Sequence, residues 1–124
     1  MPLGDVWDVM KEQTVSVGAL KSLGALFTTA PVTKTADFTV ADTETVIINN
    51  KTGSACTATL PSAALNAGRI LLMKTTQALA LNSATSNVVP KAGGAASTAI
   101  ATGTAGNWAL LVSDGTNWVV MAGT

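Results

Sequence analysis

GNWALLVSDGTNWVVMAG (Gly106–Gly123) reads as a β-hairpin. Two runs rich in Val, Leu and Trp flank Ser113-Asp114-Gly115-Thr116, and Asp-Gly between apolar runs is a strong short-range hairpin signal. With Asp114 and Gly115 as the loop, Leu111 is expected opposite Trp118, Leu110 opposite Val119 and Trp108 opposite Met121. Opposed residues share a face. Ala109, Leu111, Trp118 and Val120 then line one face, and Trp108, Leu110, Val112, Val119 and Met121 the other. Both faces are apolar, whereas a hairpin on a one-layer sheet is expected to be polar on one side. The hairpin needs cover twice, and the second cover is expected from a neighbouring copy of the same chain.

The remaining composition fits that expectation. In 124 residues, enough for one domain, only 11% are charged and 48% are apolar. Seven basic residues balance seven acidic ones. A neutral chain lacks the basic excess that a phosphate backbone or an anionic membrane requires, so neither nucleic acid nor membrane is an expected partner. A small monomer with so little charge is prone to associate. There is no His and a single Cys, Cys56. The usual general base, the commonest metal ligand and any intrachain disulfide are therefore missing, and no cofactor, metal or catalytic residue is expected.

Ala30-Pro31 divides the chain into an N-terminal segment, 1–30, and a β-rich module, 31–124. In the first, Val6, Trp7 and Met10 share a possible helical face, with Asp5 and Asp8 early and Lys11 late, as the helix dipole favours. Leu20, Leu23 and Phe27 have helical spacing but are interrupted by Gly24. A short, partly helical arm is expected, either packed on its own domain or docked elsewhere by these six apolar residues. The run 15–30 is too short and too interrupted to span a membrane, and the acids before it do not suit a signal peptide.

From Val32 onward, strands are predicted at Phe38–Val40, Thr45–Asn49, Ala55–Leu60, Arg69–Lys74, Leu79–Leu81, Thr98–Ala101, Trp108–Val112 and Asn117–Met121. Many short strands with close turns predict a mainly β fold, a β-sandwich or barrel-like module. Pro61–Gly68 is predicted as a short crossover with one helical turn, capped by Ser62 and ended in left-handed backbone at Asn66 or Gly68. Residues 82–106, poor in large hydrophobes, are expected to be ordered but irregular, anchored by Val88, Val89 and Ile100.

Chemistry-bearing patterns are sparse. Lys51-Thr52-Gly53-Ser54 lacks the rest of a phosphate loop and reads as a turn. Asp37, Asp42 and Glu44 supply too few ligands for a calcium site and read as solvated turn carboxylates. Arg69 and Lys74 read as edge charges, and Cys56 as a small core residue. No set of residues supplies a nucleophile, a base and an orienting group together, so the chain is not expected to be an enzyme.

Four blocks carry a resemblance: TVIINNKTGSACTATLP (Thr45–Pro61), LNAGRILLMKTT (Leu65–Thr76), SNVVPKAGG (Ser86–Gly94) and AGNWALLVSDGTNWVVMAG (Ala105–Gly123). With them the chain resembles a β-rich module that recurs in structural proteins of tailed bacteriophages, in tail fibres, spikes and short head or neck appendages. The resemblance implies a non-enzymatic virion protein assembled in the bacterial host cytoplasm and built as a homotrimer. It also implies that residues 1–30 dock on a capsid, portal, neck or tail protein. With no long repetitive shaft, the expectation moves to a short fibre or capsid decoration protein. The alternative is the receptor- or glycan-binding tip of a tail fibre. A hydrolytic spike would need paired carboxylates, and the sequence offers no obvious pair.

Overall fold

Val, Ile and Thr runs broken by Gly, Asn and Asp build ten strands in the computed structural model, which describes residues 30–124. They are β1 (Val32–Lys34), β2 (Phe38–Thr39), β3 (Val46–Asn49), β4 (Cys56–Thr59), β5 (Ile70–Thr75), β6 (Leu81–Ser83), β7 (Val88–Val89), β8 (Ala99–Ala101), β9 (Trp108–Ser113) and β10 (Trp118–Gly123). They form a six-stranded sheet in the order β1-β3-β5-β9-β10-β7 and a four-stranded sheet in the order β2-β4-β6-β8. The fold is mainly β, a two-sheet sandwich, as the strand spacing predicts.

The path of the chain was not legible from the strand pattern. β1, β3 and β5 are parallel neighbours in the large sheet, and β2, β4 and β6 are parallel neighbours in the small one. Parallel strands need a crossover, usually a helix. Here the crossover from each large-sheet strand to the next is a strand of the opposite sheet. From Val32 to Ser83 the chain therefore coils, one strand to each sheet in turn. The hairpin β9–β10 ends the coil: β9 joins β5 antiparallel, and β10 pairs with the short edge strand β7.

Predicted strand ends agree with the observed ones to within a residue or two, and two observed strands have no predicted counterpart. β6 starts at Leu81, so Leu79 lies outside it. β1 and β7, of three and two residues, are too short to show a periodicity and were not foreseen as strands. The single helical turn in the Pro61–Gly68 crossover is a 3-10 turn, Ala64–Asn66. The left-handed backbone that ends it is at Gly68, φ +84°, not at Asn66.

One hydrophobic cluster fills the space between the sheets. The large sheet supplies Ile47, Leu71, Met73, Leu111 and Trp118, all fully buried, and the small sheet supplies mostly small residues, Cys56, Ala58 and Ala101, beside Leu81 and Ile100. Large side chains on one inner face meet small ones on the other, so two sheets about 10 Å apart can close without voids. Cys56 takes the core role expected of it, and burial pushes its thiol pKa up.

The hairpin corrects the expected register. Trp118 pairs with Ser113 and Val119 with Val112, so the loop is the four residues Asp114–Asn117. The Asp114 carboxylate explains the wider loop: Oδ1 accepts the N–H groups of Thr116 at 2.8 Å and Asn117 at 2.7 Å. Gly115 takes the left-handed conformation, φ +91°. Relative to the expected pairing the shift is two residues. An even shift leaves every side chain on its own face, so the predicted division of the hairpin into two faces stands. Beyond Val120 a bulge pushes Met121 out of the ladder, 60% exposed, instead of opposite Trp108.

Two side chains tie the crossover to the hairpin. The Trp118 indole Nε1–H donates to the Pro61 carbonyl at 2.9 Å, and the Ser113 hydroxyl donates to the Ala63 carbonyl at 2.7 Å.

Candidate functional site: an apolar sheet face

β3, β5 and β9 alternate buried residues with half-buried ones, with Lys74 on β5 exposed. The buried set points at the small sheet. The other set points away from it, and no described strand lies over it. The strand register arranges this outer face in rows. One row is Ile70, Val112, Val119 and Val89. The next is Val46, Leu72, Leu110 and Ala122, with Met121 at the bulge. The last is Thr33, Ile48, Lys74 and Trp108. Across the face, Lys74 is the one charge among the described residues.

The small sheet solves the same problem differently. Its outward residues include Thr39, Thr57, Thr59 and Asn82, which water solvates well. One sheet of the sandwich thus has a polar exterior and the other an aliphatic one.

The hairpin residues singled out from the sequence fall on both sides of the large sheet. Leu111, Trp118 and Val120 are buried in the core, and Trp108, Leu110 and Val119 lie on the outer face. The structure adds Val46, Ile48, Ile70 and Leu72 to that face. Their signal was present in the near-continuous apolar runs VIIN and ILLM, which mark strands covered on both sides. The arm residues Val6, Trp7, Met10, Leu20, Leu23 and Phe27 lie outside the described residues.

The described carboxylates hold loops. Asp37 accepts from Lys51 Nζ at 2.8 Å and from the Thr57 N–H at 2.9 Å. Lys51 lowers the Asp37 pKa, with help from Thr57. Asp114 caps the hairpin loop, and those backbone N–H groups lower its pKa. Asp42 is fully exposed.

Glu44 departs from the solvated carboxylate expected of it. It is 7% exposed and meets Lys34 Nζ at 2.6 Å, while its Oε1 accepts the Ala41 N–H at 2.8 Å. Arg69 departs too, because it leads into β5, a central strand. Its guanidinium donates to the carbonyls of Ala41 at 2.8 Å and Glu44 at 2.9 Å, tying the β2–β3 loop to the crossover. Lys74, within β5, is on a face and not at an edge.

Burial alone would raise the Glu44 pKa, but the Ala41 N–H, Lys34 and Arg69 outweigh it and hold it below the ordinary 4.5. A carboxyl whose folded pKa is depressed adds stability above its unfolded pKa and loses it as the pH falls through the folded one. Wild-type protein is therefore expected to exceed Glu44→Gln in urea midpoint near neutral pH. The gap should close on acidification below the ordinary 4.5. A gap independent of pH would show that the charge contributes nothing.

No three metal-ligating residues gather into a site among the described residues. Every buried side-chain polar atom among them has a hydrogen-bond partner, which leaves no orphan group aimed at a ligand. A shallow pocket of about 130 Å³ opens at the edge of the sandwich between Pro90, Ile100, Trp108, Val120 and Thr124. Lys91, its ionisable side chain, donates to the Gly123 carbonyl at 3.0 Å. No helix among the described residues is long and apolar enough to cross a membrane.

Comparison with family models, with curated proteins and with solved structures returned no match.

Proposed function

We propose that the chain is a non-enzymatic structural component of a tailed-phage virion: a short trimeric fibre or decoration protein, anchored by residues 1–30 to the capsid, neck or tail. One observation carries the reading, the aliphatic exterior of the large sheet on a domain whose other exterior is polar. A surface of this kind is a part to be joined to other parts. The four sequence blocks that resemble phage structural proteins also fall on strands, turns and the crossover of this sandwich, the features that hold the module together. The mechanism is burial: apolar faces are withdrawn from water at subunit contacts, and the arm fills an apolar groove on the particle.

An epitope-tagged chain is expected on purified particles by immunogold electron microscopy. The chain lacking residues 1–30 is expected to be missing from them while keeping its β-sheet circular dichroism. Particles without label, or particles that carry the truncated chain, overturn the proposal.

The tail-fibre tip remains the second reading because Trp108, half-buried on the outer face, offers part of an aromatic surface. Trp118 does not, since its ring is sealed in the core. Glycan-array binding that is lost on Trp108→Ala, with folding intact, would favour this second reading.

A further inference from the structure

We infer that Asp114-Gly115 is the site at which this chain isomerises spontaneously to isoaspartate, and that the folded hairpin loop, through Ser113 and the Asp114 cap, holds the reaction in check. The inference is independent of the virion reading above.

The reaction needs no partner but water. The Gly115 amide nitrogen attacks Asp114 Cγ, and a cyclic succinimide forms. The new C–N bond replaces a C–O bond, and the carboxyl oxygen leaves as water with the amide proton. Water then opens the ring. Opening at Cγ restores aspartate. Opening at the Asp114 backbone carbonyl leaves a chain that runs through Cβ and Cγ, an isomer of unchanged mass.

The sequence singles out this position. Among the Asp and Asn residues of the chain, Asp114 alone precedes a glycine. Glycine has no Cβ beside the attacking nitrogen, and its backbone turns freely. The next smallest followers are Ala67 after Asn66 and Ser83 after Asn82. The Asn66 Nδ2 donates to the Ser62 carbonyl at 2.8 Å, and the Ser83 N–H donates to the Thr98 carbonyl at 2.7 Å. Asp114 is exposed, so water for ring opening reaches it.

The fold ties down both reacting groups. Asp114 Oδ1 accepts the Thr116 and Asn117 N–H groups, which hold the carboxyl below its ordinary pKa. It is therefore ionised at neutral pH, and an ionised carboxyl has no good leaving group. On the other side, the Gly115 N–H donates to Ser113 Oγ at 3.2 Å. Ser113 is itself buried and fixed by its bond to the Ala63 carbonyl. The nitrogen attacks from outside the plane of its own amide, so that amide must turn and give up Ser113. The Asp114 N–H, donating to the Asn117 carbonyl at 3.1 Å, resists the same movement. Reaction therefore waits on local opening of the loop. Once formed, isoaspartate adds a methylene to the backbone and takes Oδ1 away from the two N–H groups that set the loop.

The test incubates the full-length chain in warm neutral buffer made with heavy-oxygen water, folded and in guanidinium chloride. Peptide mass spectrometry then maps isoaspartate and incorporated label. In the unfolded chain, label is expected to gather at Asp114. In the folded chain it is expected to do so more slowly, by about tenfold or more. Ser113→Ala deprives the Gly115 N–H of its acceptor and is expected to move the folded rate toward the unfolded one. Ser113→Thr returns a hydroxyl and is expected to return the slow rate. Circular dichroism checks that each variant is folded, and the wild-type comparison stands without them. A folded rate equal to the unfolded rate overturns the inference. So does a folded Ser113→Ala protein that reacts at the wild-type rate, or label that gathers in the unfolded chain at another Asp or Asn.

Discussion

Trp118→Ala is expected to lower the unfolding free energy by about 3–5 kcal/mol, the range for truncating a large aromatic in a packed core. Trp118 is 0% exposed and is the largest fully buried side chain. Two effects combine. The missing ring leaves a cavity between two sheets that are each held by their own ladders and cannot collapse onto it. The Pro61 carbonyl also loses the indole N–H that it accepts at 2.9 Å. An acceptor stripped of its partner away from water carries a further cost. The check is urea unfolding of wild type and variant with the same m-value, since a changed slope would mean a changed unfolded state. A loss under about 1 kcal/mol would place the ring outside the core.

The second large effect is expected at Asn49, a fully buried polar residue at the end of β3. Its Nδ2 donates to the Thr75 hydroxyl on the neighbouring β5 at 3.2 Å, and its Oδ1 accepts the Lys51 N–H at 3.0 Å. Thr75 is also fully buried and donates onward to the Gln77 carbonyl at 3.1 Å. Asn49 and Thr75 are register partners, so one hydrogen-bonded stack joins two successive passes of the coil. Asn49→Ala removes both bonds and strands the Lys51 N–H. At about 1–2 kcal/mol for each bond, the expected loss is about 2–4 kcal/mol. Thr76→Ala is the comparison. Its hydroxyl also joins the passes, at 3.1 Å to the Asn49 carbonyl, but Thr76 is exposed and water can replace it. Equal losses at the two sites would show that burial does not set the cost.

What the sequence revealed follows from what a local pattern can encode. The two hairpin faces were legible because period two survives an even change of register. The sandwich was legible because turn residues recur between short apolar runs. The coil was not, because a run such as VIIN states that it is a strand and not which strand lies beside it. β1 and β7 were hidden by their length. Glu44 was misplaced because a carboxylate among turn residues reads as solvated; its burial depends on Lys34, ten positions earlier, which only the folded chain brings to it. The apolar outer face was half legible. The hairpin showed its part of it, and the strands that complete it lie some forty to sixty positions earlier in the chain.

The coiled stretch has a consequence for how such a chain can change in length. Successive passes stack with parallel register, and Asn49 above Thr75 shows that they lock through side chains of ordinary kinds. A duplicated pass inserted between two others would find backbone partners waiting on both sides, because each pass contacts chiefly its neighbours. The antiparallel hairpin offers no such opening, since its register is fixed by its own loop. Related chains that grow taller or shorter by whole passes, with the closing hairpin retained, are the variation that this architecture admits most cheaply.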